Sequence, residues 1–314
     1  MAGLSLSYPG DRSAHALRLS WVLAGLLAVA ALAALGLGAA SVSLPKVLGD
    51  LLAGRGVAAQ DQLVLMQIRL ARLVLGLMIG AALGVSGTLM QGLFRNPLAD
   101  PGIVGVGAGA GLGAVLAIVL GGALGLLGPF VVPVAAFLGA WGAVLLLYRV
   151  ATQGGQTSVA VLLLAGVALA ALAGAATGVL VYLADDRQLR DLTFWSMGAL
   201  SGASWAKCLW AGAFILPVVL LAPRLGAGLN ALALGEATAR QIGHPVQRLK
   251  AQSVLAVAAA TGAATAAAGG IGFVGIVVPH LLRLASGPDH RRLLPNAALL
   301  GAALLVLADT AARL

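Results

Sequence analysis

The chain has 314 residues, of which 61% are hydrophobic before glycine is counted and only 9% are charged; a soluble domain has about 45–50% apolar residues and about 25% charged ones. So few charges cannot cover a soluble surface of this size. That overrides the two domains that length alone suggests, and it excludes a soluble enzyme, a nucleic-acid-binding module and a disordered chain. The net charge of +9 points to nucleic acid only until the charges are located, since most sit in loops between apolar runs, and the single cysteine, Cys208, excludes an internal disulfide or a cysteine-built metal site.

One all-α, polytopic transmembrane helical bundle over 1–314 is expected, with a short inner tail over 1–18. Crossing the hydrocarbon as a helix takes about 20 apolar residues. The first such run is Leu19 to Ala40. It follows Arg12, His15 and Arg18 but is too long for a signal-peptide core, so it reads as a retained helix with its N-terminus inside. A second span covers Arg69 to Phe94. Residues 101–148 carry no charge, enough for two spans broken near Gly128, Pro129 and Pro133. A fifth span runs from Val159 to Ala184, and a polar outer turn, ADDRQLRD, follows. Leu192 to Ser204 is too short to cross and is expected in the outer interface, with Trp195 and Trp205 at headgroup depth.

A sixth span covers Ala206 to Leu221, and then comes the longest polar stretch between spans, Ala222 to Lys250. The uncharged run Ala251 to Leu282 is too short for two full helices. One full span to Ala268 and a broken helix from Gly272 to Leu284 are expected, a break tolerated only where protein or a water-filled cavity covers the backbone. The ninth span is Leu293 to Ala311. With the N-terminus inside, the inner segments hold 11 lysines and arginines and the outer ones 8, a bias in the expected direction. The chain stops just after that span, so a tenth helix is expected beyond it.

No G-x-x-x-x-G-K-[ST] is present, and none of Lys46, Lys207 and Lys250 follows a glycine, so a phosphate cradle for ATP is not recognisable. The G-x-G-x-x-A at Gly105, Gly107 and Ala110 has no strand before it. Gly105, Gly109 and Gly113 instead repeat on one helix face, where small residues let backbones approach. Ionisable residues are nearly absent from span centres. His280 and Asp309 are the candidates, and each reads as a local structural group rather than a proton relay. No nucleophile–base pair, metal-ligand set or cofactor motif appears.

An energy source must then lie outside the chain. The loop LGAGLNALALGEATARQIGHPVQ (225–247) is suited to receive it: two short helical pieces, Gly228 to Leu234 and Glu236 to Ile242, meet at Gly235, with Glu236 placed to favour a helix N-terminus. An ordinary interfacial helix is the alternative. At the other end, Arg69 and Arg72 share one face at the outer start of the second span, and Arg313 follows the ninth. They read either as snorkelling anchors or as sockets for a partner's carboxylates.

The run RLARLVLGLMIGAALGVSGTLMQGLFRNPLADPGIVGVGAGAG resembles the FecCD family of ABC importer permeases, which serve iron–siderophore, haem and vitamin B12 uptake. The resemblance continues through LLLAGVAL, FWSMGALSGASW, LNALALGEATARQIG, GGIGFVGIVVPHLLRL, GPDHRRLLP and LLVLADTAAR, over residues 20–314. It implies a bacterial inner-membrane homodimer of ten-helix subunits with a central pathway, an ABC ATPase dimer on the cytoplasmic side and a periplasmic substrate-binding protein. Gly235, Glu236 and Arg240 become candidates for the ATPase contact. Arg69, Arg72 and Arg313 match arginines that meet glutamates of the binding protein. Asn96 and Leu98, with Ser158 and Val159, match the cytoplasmic gate. Ala71 departs from the family pattern, which has proline there, and the family's last helix is absent. The outer segment DDRQLRDLTFWSMG leans to haem over siderophore. An ion-coupled secondary transporter and a membrane scaffold without transport remain the competing classes.

Overall fold

A computed structural model describes residues 13–38, 44–54, 58–125 and 128–314. In chain order these form α1 (Ser13–Gly36), α2 (Leu44–Leu52), α3 (Ala59–Leu63), a π-helical turn (Val64–Arg69) and α4 (Leu70–Phe94). A 3-10 turn (Pro101–Val104) leads into α5 (Val106–Leu120) and α6 (Val131–Ala151). The two-residue strands β1 (Thr152–Gln153) and β2 (Gln156–Thr157) precede α7 (Val159–Leu183), α8 (Asp186–Met197) and α9 (Trp205–Leu221). After a 3-10 turn (Ala222–Leu225) come α10 (Gly226–Ala233), α11 (Glu236–Gln241), α12 (Val246–Ala268), α13 (Val274–Ser286) and α14 (His290–Ala311). Among the described residues, seven helical segments are long and apolar enough to cross a membrane, and α5 and α13 are shorter apolar helices. Nine apolar helices thus stand where nine spans were expected.

The boundaries differ in places. The second span does not start at Arg69: α3, the π turn and α4 form one helical segment, Ala59–Phe94, so Arg69 lies inside it. The first helix begins at Ser13, inside the expected tail; the expected end at Ala40, Arg12 and Arg55 lie outside the described residues. The break between the third and fourth spans includes residues 121–125 and 128–130, and Pro133 sits in the first turn of α6, where its lack of an N–H costs nothing. The expected polar outer turn is mostly helix: Asp185 caps α8, and a reciprocal Asp185–Gln188 capping box closes its first turn.

At the centre is α4, buried on nearly every side against α14, α12, α13 and α9. Glycines permit this. A methyl at Gly80 would strike the Gly301 carbonyl of α14, and one at Gly87 would strike the Gly275 carbonyl of α13. The expected glycine stripe holds in part: Gly109 and Gly113 back onto the Gly139 and Ala135 carbonyls of α6, whereas Gly105 takes a φ of 73° and starts α5. By contrast, Gly111 on α5 and Gly174 and Gly178 on α7 meet nothing within 4 Å.

The break between α12 and α13 is covered by protein, as the bilayer requires. Ala199 N–H donates to the Ala268 carbonyl at 2.7 Å. Gly269, at φ 76°, lies so close under the Trp195 carbonyl that a side chain there would collide with it. Trp195 is half-buried in the fold, and Trp205 donates its Nε1–H to the Met66 carbonyl at 3.0 Å.

Gly80→Leu should lower the thermal unfolding midpoint in detergent clearly, since overpacking costs about 1–3 kcal/mol or more. Gly111→Leu, which faces open space, should leave the midpoint near that of the unaltered chain. Equal midpoints for the two variants would remove the close-packing account.

Candidate functional site

Two charged clusters lie at opposite ends of the bundle. One gathers the carboxyl ends of α1 and α14 around the π turn. Arg72 grips Asp309 of α14 through two nitrogens, with Nη2–Oδ1 at 2.7 Å and Nε–Oδ1 at 3.0 Å. The second Asp309 oxygen takes Arg313 Nε at 3.3 Å, so one carboxylate serves two guanidiniums. Arg69 is buried, 4% exposed, and donates to the carbonyls of Leu35 and Gly36 where α1 ends. Arg313 also reaches the Ala34 carbonyl, at 3.4 Å. Cations suit these carbonyls because the last turn of a helix leaves them without partners and carries the negative end of its dipole. Burial pulls the Arg313 guanidinium below the ordinary arginine range; Asp309 opposes this, and Arg72 and Arg69 add to it. The three predicted arginines are thus brought together, and Asp309, read from sequence as a local group, is the counter-charge that joins two of them.

The other cluster surrounds α10 and α11. The two helical pieces meet at Gly235 as expected, and its φ of 109° is one that only glycine adopts freely. Nothing lies within 4 Å of a Cβ built at Gly235, so this corner projects from the body. Asn230 anchors α10 to α14: its amide donates to Asp289 Oδ1 at 2.5 Å, and its carbonyl oxygen accepts from His290 N–H at 2.9 Å. Glu236 anchors α11. One carboxylate oxygen meets Arg240 at 3.4 Å on the surface; the other meets Lys250 Nζ of α12 at 2.7 Å.

Lys250 is 2% exposed and was not singled out by its sequence position beyond closing the polar stretch. Its ammonium also donates to the Thr157 carbonyl at 2.7 Å. One helical turn before it, Gln247 Oε1 accepts from Thr157 N–H at 3.0 Å. Both backbone groups of Thr157 are therefore held by α12. Thr157 closes the β1–β2 hairpin, whose two-residue turn, Gly154 and Gly155, takes positive φ at both positions. The next residue, Ser158, caps α7 through a 3.4 Å contact from Val161 N–H. At the neighbouring chain reversal after α4, Asn96 Oδ1 accepts from Leu98 N–H at 2.9 Å, and Leu98 is exposed. The 3-10 turn that follows packs against α7. Both predicted gate segments thus lie at the α11 end, each ordered by a short polar side chain.

A groove of about 440 Å³ runs between α5, α7 and α8, lined among others by Ala108, Gly111, Ala170, Gly174, Thr177 and Ser196. No charge lines it. Among the described residues, no group of three or more His, Cys, Asp or Glu side chains could hold a metal ion.

The profile of the FecCD transport family matches residues 26–314. The chain belongs to the FecCD transport family. It is 46% identical over 257 residues to the hemin transport system permease protein HmuU of Yersinia pestis, covering 79% of this chain and 74% of that one. It is 45% identical over 266 residues to the cobalamin import system permease protein BtuC of Halobacterium salinarum (82% and 69% covered) and 42% identical over 261 residues to the vitamin B12 import system permease protein BtuC of Salmonella typhi (83% and 78%). Its fold superposes on a metal-chelate type ABC transporter in an inward-facing conformation with a TM-score of 0.84 at 31% identity, over 94% of this chain and 90% of that one. This FecCD-family chain is accordingly a multi-pass membrane permease, and the carboxylate network at each of its ends is built from its own residues.

Asp309→Asn should destabilise the bundle by roughly 1–3 kcal/mol, because it leaves two partly buried guanidiniums without their counter-charge. Thermal unfolding in detergent reads this, and an unchanged midpoint would mean that water already compensates both arginines.

Proposed function

We propose that this chain is the permease subunit of a binding-protein-dependent ABC importer for an iron chelate, haem before siderophore, working as a homodimer in a bacterial inner membrane with its N-terminus in the cytoplasm. The observation that carries the proposal is the projecting corner at Gly235, held on two sides by Asn230 and Glu236, in a chain 46% identical to a hemin permease. A corner that is open at its glycine and anchored on both sides is a surface for another protein to push. A separate ATPase dimer supplies the push at Gly235, Glu236 and Arg240, where the half-exposed Arg240 guanidinium is available to a partner.

A second copy is favoured by α7. Most of this apolar helix is left uncovered by the rest of the chain, and its Gly174 and Gly178 face open space, leaving room for a pathway lined by small residues or for a close helix partner. Such a pathway grips its cargo weakly, so affinity resides in the periplasmic binding protein. Asn96, Leu98, Ser158 and Val159 form the cytoplasmic gate at the α11 end. A corrinoid is the second cargo reading, favoured by relatives of 45% and 42% identity that import cobalamin and vitamin B12.

With the cognate ATPase and binding protein in liposomes, haem uptake should require ATP, and cobalamin should compete poorly. Arg240→Glu should reduce uptake at least about tenfold, the cost of losing one well-placed interfacial charge contact. Cobalamin uptake exceeding haem uptake would move the cargo to corrinoids, and full activity of Arg240→Glu would remove the coupling role.

Arg69, Arg72 and Arg313 are the docking set for carboxylates of the binding protein. A partner carboxylate there competes with Asp309 for Arg72 and Arg313. Arg72→Glu should therefore weaken binding-protein association and flatten its dependence on salt. Asp309→Asn, by contrast, should preserve or tighten it. Equal weakening by both variants would indicate that the cluster only holds α4 and α14 together.

A further inference from the structure

We infer that Lys250 is a positioning residue that transmits movement of α11 to the first turn of α7. This rests on the importer reading and adds a residue and a route to it. Three elements converge on one ammonium group: Glu236 at the start of α11, Lys250 itself in the first turns of α12, and the Thr157 carbonyl one residue before the cap of α7. Both Lys250 contacts are 2.7 Å. The side chain is among the largest fully buried ones among the described residues, so the Lys250 ammonium itself is shielded from water when either contact breaks.

The geometry makes the clasp directional. Gln247 holds the Thr157 N–H and Lys250 its C=O, so the hairpin end moves with α12 rather than sliding along it. Glu236 is the member that faces outward as well, since its second oxygen carries the surface pair with Arg240. A displacement of α11 thus pulls on the buried Lys250 ammonium, whose other contact is the backbone entering α7. Arg240 can exchange its partner in solvent; Lys250 cannot. The two cations bound to one carboxylate therefore divide the work, one facing a partner and one facing the gate segment.

The test uses the chain with Cys208→Ala, assembled with its ATPase subunits in lipid nanodiscs. An environment-sensitive fluorophore is placed at Ala237→Cys on α11 or at Ala160→Cys on α7, both exposed positions. ATP should change both signals. With Lys250→Met the α11 signal should persist, while the α7 response falls at least about threefold, within the range of coupling energies carried by such links. Glu236→Gln, which leaves Lys250 and its carbonyl contact in place, should act in the same direction, so the test does not depend on the folding of one variant. The double variant should be no worse than the more affected single, because both break the same connection. An α7 response of full size in both Lys250→Met and Glu236→Gln, or strictly additive losses, would overturn the clasp alone. No ATP response at either probe in the Cys208→Ala chain would overturn the importer reading and the clasp with it.

Discussion

Hydrocarbon offers no hydrogen bonds, so every interruption of a helix inside this bundle has to be closed by another part of the chain. That constraint explains the features that helix propensity alone would not produce. The α12–α13 break is closed by the backbone between α8 and α9, with Ala199 on the Ala268 carbonyl and glycines at 198 and 269 where any side chain would collide. The end of α1 is closed by Arg69, and the entry to α7 by Gln247 and Lys250. Among the described residues the two buried lysine or arginine side chains, Arg69 and Lys250, both serve these closures.

The same economy bears on where the energy for movement comes from. Asp309 is matched to two arginines, and Lys250 to Glu236 and a carbonyl. A gradient-driven carrier needs intramembrane groups that gain and lose protons or bind ions along a route; here the groove between α5, α7 and α8 is lined without charge. Packing divides the chain mechanically. α4 is locked against α14 and α13 by backbone-to-backbone contacts at glycine, whereas α7 is bound to its own chain on one side only. A push arriving at α11 therefore meets a rigid body through Asn230 and a looser helix through Lys250, which is the arrangement a partner-driven gate requires.

Much of this was legible in the residues. The apolar runs located nine helices, the shortage of residues between Ala251 and Leu282 foretold the broken helix, and the glycine at 235 between two short helical pieces placed the corner. Boundaries slipped where a helix continues past, or forms outside, an apolar run. The rod of α3 and α4 reaches back to Ala59 although residues 60–69 include acidic and polar positions, and α8 forms where only a turn was expected because Asp185 and Gln188 cap each other. The partners of the charged residues were not legible. Arg72 and Asp309 are 237 positions apart, and Lys250 and Thr157 are 93 apart. No local period connects residues at such distances. A lysine three positions after a glutamine at the start of an apolar helix was the one available sign that α12 begins with a polar grip.

The central claim is that the chain moves by work done on it from outside. Its most direct test is solute accumulation in sealed vesicles, comparing the purified chain alone under an imposed proton or sodium gradient with the chain joined to its ATPase and binding protein under ATP and no gradient. The account predicts accumulation only in the second case. Accumulation by the chain alone, driven by the cation gradient, would contradict it.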